Sequence, residues 1–249
     1  MAQDPSPSPA ATVTVHALSC GHFTLPEHQF VKPSSLEARR TVPSLAFLIQ
    51  HQNPLTNKHT TILFDLGLRG NLADYPRPIQ KHTENRQPIE PRPDVVDNLA
   101  KGGLHPQDID YIIFSHVHWD HIGSPRSFPT STFIVGHGSL DLLSGKSARP
   151  LGGHSFFEPD LLPLSRTIEL SNPKNAPSQK ADHNSPPGNA DFTTPWHPHR
   201  HLPLTLDLFN DGALRLVHAP GHLPGHINVL ARTPDGKEMY LAGDAPCGV

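Results

Sequence analysis

Three histidines and an aspartate fall within six residues, His116-Val117-His118-Trp119-Asp120-His121, directly after the apolar run 109–115 (IDYIIFS). Imidazole nitrogens and carboxylate oxygens bind metal ions, and alternate side chains of an extended segment point the same way. His116 and His118 can therefore share one ion. Asp120 and His121, on the turn that follows, are placed to reach a second. A donor set of neutral imidazoles and carboxylates suits Zn²⁺, Mn²⁺ or Fe²⁺. The chain has only two cysteines, Cys20 and Cys247. That excludes a thiolate zinc cluster and a disulfide framework.

The elements that must position these ligands are mostly strands. Residues 109–115 are too short for a helix and rich in β-formers, so they predict a central strand buried on both faces. Further strands are predicted at 12–18, 44–50, 60–66, 206–209, 213–218, 227–231 and 239–242, with another beginning at 133–135. Asp94 and Gly102-Gly103 bracket a helix over 94–100, and 138–143 reads as a short second one. Residues 69–93 are rich in proline and predict a long surface loop or lid.

The pattern His-x-His-x-Asp-His after a strand ending in serine resembles the metallo-β-lactamase superfamily of metal-dependent hydrolases. Three further stretches are similar, in the family's order. Residues 61–67 (TILFDLG) resemble its early strand ending in Asp-x-Gly, 219–226 (APGHLPGH) its Pro-Gly-His-x-x-Gly-His segment, and 241–244 (LAGD) its Gly-Asp. The resemblance spans residues 12 to 249 and implies an α/β fold, the four-layer αββα sandwich. It also implies a ligand set: His116, His118 and His226 for the first metal, Asp120 and His121 for the second, and Asp244 bridging. Two zinc ions are expected, with manganese or iron as alternatives. His222 would orient its loop, and Asp65 would hydrogen-bond ligand histidines or loop amides. The family places one more histidine beyond the Gly-Asp, whereas this chain stops at Val249. The second half of the fold is thus expected to be incomplete.

Within the family, flavodiiron oxidoreductases carry glutamate where this chain has His118, and nucleases add a long domain and basic surfaces. What remains is hydrolysis of a carbonyl compound, and the N-acyl homoserine lactonase-like branch is the most similar. The resemblance implies opening of a lactone or lactam by a metal-bound hydroxide, with Asp120 orienting it and passing a proton to the leaving group. The alternatives are a thioesterase of the same superfamily and a truncated metal-binding protein without turnover.

Composition narrows the partners. A formal net charge of −3 without a Lys/Arg block argues against nucleic acid and anionic membrane, leaving a small-molecule carbonyl substrate. No apolar stretch approaches a membrane span, and the first residues carry no basic-then-apolar leader; a cytoplasmic protein is expected. The 29 prolines and 19 histidines exceed ordinary usage and bear on domain organisation. Residues 1–11 predict a disordered tail, and 12–249 one metallo-β-lactamase-like domain interrupted by a disordered insertion at 171–203. That insertion holds a second alternating set, His197, His199 and His201, read as a solvated loop rather than a ligand group.

Overall fold

Apolar side chains alternate along the central strands, and each parity belongs to a different core. In a computed structural model of the chain, which describes residues 11–146, 156–175 and 188–244, Leu63, Ile112, Phe133 and Val135 face one buried cluster. Ile62, Phe64, Ile113 and Ile134, their immediate neighbours in sequence, face another. A strand with both faces buried must be apolar at every position, which is why 109–115 reads as a continuous run.

The first sheet has six strands in the order β1-β2-β3-β4-β5-β6: Val13–Pro26, Arg39–Gln52, His59–Phe64, Tyr111–Ile113, Thr132–Val135 and Thr167–Glu169. β1, β2 and β3 pair antiparallel; β3 to β6 run parallel. The second sheet is antiparallel in the order β11-β10-β9-β8-β7: Glu238–Leu241, Ile227–Arg232, Leu214–His218, Leu202–Asp207 and His197–His199. Leu214, Leu216, Ile227, Val229 and Ala231 of this sheet pack against the second parity of the first. Helices α2 (Val95–Lys101) and α3 (Ser139–Leu143) contribute Val95, Leu99, Leu142 and Leu143 to the opposite cluster. The described residues thus build helix, sheet and sheet layers of the expected α/β sandwich.

The helix predicted over 94–100 is present as α2. Asp94 caps it, its side chain accepting from Asp97 N while Asp97 accepts from Asp94 N. Two loop expectations come out differently. Residues 69–93 are not a free lid: α1 (Arg77–Thr83) lies within them, and Leu68, Tyr75 and Ile79 bury with Phe23 and Trp119. Nor is 171–203 a structureless insertion where it is described. Trp196 is buried with its indole N–H on Ser171 O at 2.9 Å, and His197–His199 form the edge strand β7. An anchoring indole and a backbone ladder override the proline-rich composition there. Residues 1–10 and 176–187 of the expected disordered segments lie outside the described residues. Among the described residues no helix is long and apolar enough to cross a membrane.

Candidate metal centre

The ligand segment begins where β4 ends, at the carboxyl edge of the parallel strands. Ser115 donates to Asp65 from both its amide and its hydroxyl, each at 2.7 Å. This ties the end of β4 to the residue that follows β3. Asp65 sits at φ +61°, a left-handed conformation that aspartate tolerates better than most residues. Its Oδ2 also lies 2.8 Å from His121 Nδ1. Asp65 therefore fixes both ends of the segment, and Gly67, at φ +69°, lets the chain turn close against Cys20.

Three consecutive carbonyls of the segment are each held by a donor from a different element. Trp119 O accepts from the Tyr75 hydroxyl at 2.8 Å, Asp120 O from the Ser44 hydroxyl at 2.6 Å, and His121 O from Leu66 N at 2.8 Å. A turn clamped in this way presents its side chains with little backbone freedom.

Because the Ser115 hydroxyl gives its hydrogen to Asp65, it accepts from His116 Nδ1–H at 3.0 Å. His116 then presents the lone pair of Nε2. That atom lies 2.9 Å from His118 Nδ1, which lies 3.0 Å from His222 Nε2. The ligand atoms of His116, His118, His222 and Asp244 all fall within 4.8 Å of one another. Asp244 spans the cluster: Oδ1 is 3.2 Å from His121 Nε2, and Oδ2 is 3.3 Å from His222 Nε2. Asp120 Oδ2 stands 3.9 Å from His121 Nε2. Gly243 is required for this approach, since a Cβ there would lie 2.5 Å from Ser115 Oγ.

The group therefore contains His222 and not His226, the reverse of the order the resemblance implied. His226 is buried at the start of β10, and its Nδ1–H donates to Ala219 O at 2.8 Å. Its Nε2 faces Gly243 and has no hydrogen-bond partner among the described residues. Two histidines four residues apart on one turn cannot be told apart by spacing. The bond to Ala219 commits His226 Nδ1, and its Nε2 lies toward Gly243 rather than with the other three imidazoles.

The electrostatics suit a cation. Burial, and then the neighbouring imidazoles, push the His116 pKa well below the usual value, so its imidazole is neutral at pH 7. Burial raises the Asp120 carboxyl to about 6, with His121 opposing and Asp244 reinforcing the rise. Burial works against a charged His121, but Asp65, Asp120 and Asp244 outweigh it and raise its pKa. Burial would raise Asp244, yet His121 beside it holds it below the usual range. Among the described residues no lysine or arginine pairs with these three carboxylates. One proton between His116, His118 and His222 satisfies one of the two nitrogen–nitrogen contacts, whereas a cation at their centre is met by all three imidazoles. The residues present fit a metal ion.

The cluster opens into a cleft of about 1260 Å³, with Phe23, Leu25, Val42 and Phe157 among its apolar walls and Trp119 at its edge. Phe157 stacks on the His118 ring at 5.9 Å. Sequence reasoning passed over Ser44, Tyr75 and Phe157, which come from distant segments and carry no local motif.

The site is thus a histidine–carboxylate cluster held at the strand ends of a two-sheet sandwich. The family model of the metallo-beta-lactamase superfamily matches residues 39–245, and the chain belongs to that family. It is 29% identical to gamma-lactamase FDB1 of Fusarium pseudograminearum, over 96% of this chain and 54% of that protein. It is 28% identical to N-acyl homoserine lactonase AttM of Rhizobium radiobacter, over 60% of this chain and 46% of that protein. The chain spans about half the length of these curated relatives. Its fold is also that of an N-acyl homoserine lactone hydrolase solved with the product N-hexanoyl-L-homoserine at its catalytic metal center. The TM-score is 0.60 at 17% identity, over 93% of this chain and 74% of that one.

Proposed function

We propose that the chain carries the catalytic centre of a metal-dependent hydrolase that opens lactone or lactam rings. The observation that carries this reading is the convergence of His116 Nε2, His118 Nδ1 and His222 Nε2 beside Asp244 at the floor of the cleft. The names of the relatives, a gamma-lactamase and a lactonase, support the substrate class. Zinc suits the nitrogen and oxygen donors. His116, His118 and His222 would hold a first ion, Asp120 and His121 a second, and Asp244, facing both groups, would lie between them. Zinc there supplies polarisation of a carbonyl oxygen and a water acidified toward neutral pH.

The remaining work falls to the chain's own residues. Asp65 and Ser115 fix the rings of His121 and His116, so that one nitrogen of each faces the cleft. Ser44 and Tyr75 hold the turn from which Asp120 projects. Asp120 takes a proton at its carboxylate from the attacking water and returns it to the departing oxygen or nitrogen. The apolar walls exclude bulk water and seat the body of the substrate. The test is zinc content together with turnover of a panel of lactones, lactams and thioesters, for the parent and Asp120→Asn. The expected result is ring opening by the parent and a variant that keeps at least the zinc held by the histidine cluster but loses at least about 100-fold in kcat. Turnover of thioesters alone, or an unimpaired Asp120→Asn, would refute the proposal.

A further inference from the structure

Arg86 is buried, 2% exposed, at the end of the 3-10 turn Glu84–Arg86, and it lines the same cleft as His118 and Asp120. Its Nη2 donates to Gln29 Oε1 at 3.1 Å, and its Cζ stands 5.9 Å from the centre of the Phe30 ring. Nη1 is buried without a hydrogen-bond partner among the described residues. Five N–H donors are available on a guanidinium; the described residues accept from one of its nitrogens.

The other well-buried arginine among the described residues shows how such a group is normally satisfied. Arg69, 6% exposed, donates from Nε to Gly123 O at 2.8 Å and from Nη1 to Asp74 O at 2.6 Å. Its Nη2 pairs with Glu158 at 2.6 Å. Arg86 has no such carboxylate among the described residues. Taking a guanidinium out of water without a counter-ion is strongly unfavourable. Burial accordingly lowers its pKa, with the charge of Asp120 acting the other way. Asp120 belongs to the metal centre, so that charge is already engaged there. The turn that carries Arg86 is itself held from β2. Arg39 Nη2 donates to Asn85 O at 2.9 Å and Gln87 O at 3.1 Å, the residues on either side.

We propose that Arg86 binds a carboxylate carried by the substrate, so that the ring opened in this cleft belongs to an acidic lactone or lactam. This rests on the hydrolase reading and adds the substrate's charge to it. Phe23, Leu25 and Val42 supply an apolar wall of the cleft for the body of the molecule. The substrate's ring carbonyl lies at the histidine cluster, and its carboxylate accepts from Nη1. Such charge-assisted bonds are short and strong, and a planar carboxylate matches the guanidinium fork.

The test compares the zinc-loaded chain with Arg86→Gln and Arg86→Lys on phthalide and 5-carboxyphthalide. Calorimetry with 1-indanone and 1-indanone-5-carboxylate, which have no bond to hydrolyse, measures binding separately. The parent is expected to favour the acid over the neutral ring by about 30-fold in kcat/KM. Arg86→Gln should collapse that ratio to about one, and Arg86→Lys should keep part of it. A parent without preference, or a ratio unchanged in Arg86→Gln, overturns the proposal even where both rings are opened. Carboxylate-dependent binding lost in Arg86→Gln, with no turnover of either ring, upholds Arg86 and overturns the hydrolase reading instead.

Discussion

Two segments of the molecule carry histidines at alternate positions, His116-Val117-His118 and His197-Pro198-His199, and the structure treats them differently. The first follows a strand buried on both faces and is fastened by Asp65, Ser115, Ser44 and Tyr75. Its ring nitrogens converge with His222 and Asp244. The second lies on the edge strand β7, where His199 stands 3.5 Å from Glu238 and Arg200 pairs with the same carboxylate at 2.6 Å. An arginine that neutralises the nearby carboxylate leaves it a poor place for a cation. Alternation alone therefore makes no metal site. The candidate site comes from alternation at the end of a fixed strand, with carboxylates that no lysine or arginine neutralises among the described residues.

Substitutions that act on one segment and not the other break or sharpen this contrast. The largest effect is expected at His116: His116→Ala should lower kcat/KM for lactone opening by more than about 1000-fold and deplete bound zinc. Retained activity would mean that the cluster is not the site. Replacing each histidine of the 222/226 pair separates the two ligand assignments by metal analysis. His222→Ala should lose zinc, whereas His226→Ala should retain it and lose thermal stability; the opposite pattern would restore His226 as a ligand. Asp65→Ala touches no ion, yet it frees the ring of His121 and the end of β4. A fall of about 10–100-fold in zinc affinity is expected, with activity recovering at high zinc.

Smaller effects follow at the clamp and at the edge strand. Ser44→Ala removes one hydrogen bond to the Asp120 carbonyl, worth about 1 kcal/mol, and should lower kcat by about fivefold without lowering zinc content. An unchanged kcat would show that the turn holds its shape without Ser44. His199→Ala should leave both zinc content and kcat/KM within about twofold of the parent. A loss comparable to that of His116→Ala would place function on the edge strand and erase the contrast.

The candidate ligand segment was legible in the sequence because its pattern is local: six residues, a feeding strand and an alternation of two. The central strands of the first sheet were legible for the same reason, since Leu63 and Phe64 or Ile112 and Ile113 mark strands buried on both sides, whereas Thr167–Glu169 and His197–His199 were not anticipated. Choosing His222 over His226 was beyond spacing, because the choice depends on a bond from His226 to the Ala219 carbonyl. Ser44 and Tyr75 reach the Asp120 turn, and Arg86 the cleft, from β2 and from the 69–93 segment, and no local pattern reports a contact made across the fold. The same limit hid the order within 188–203, where Trp196 is buried by residues far away in sequence.

Whether this cluster is a metal centre for ring opening is tested directly by one titration. The chain is stripped of metal and titrated with zinc while opening of γ-butyrolactone and of a five-membered lactam is followed. Turnover should be absent at zero zinc and rise to saturation by about two equivalents, and His116→Ala should remain inactive throughout. Turnover indifferent to metal removal would contradict that role.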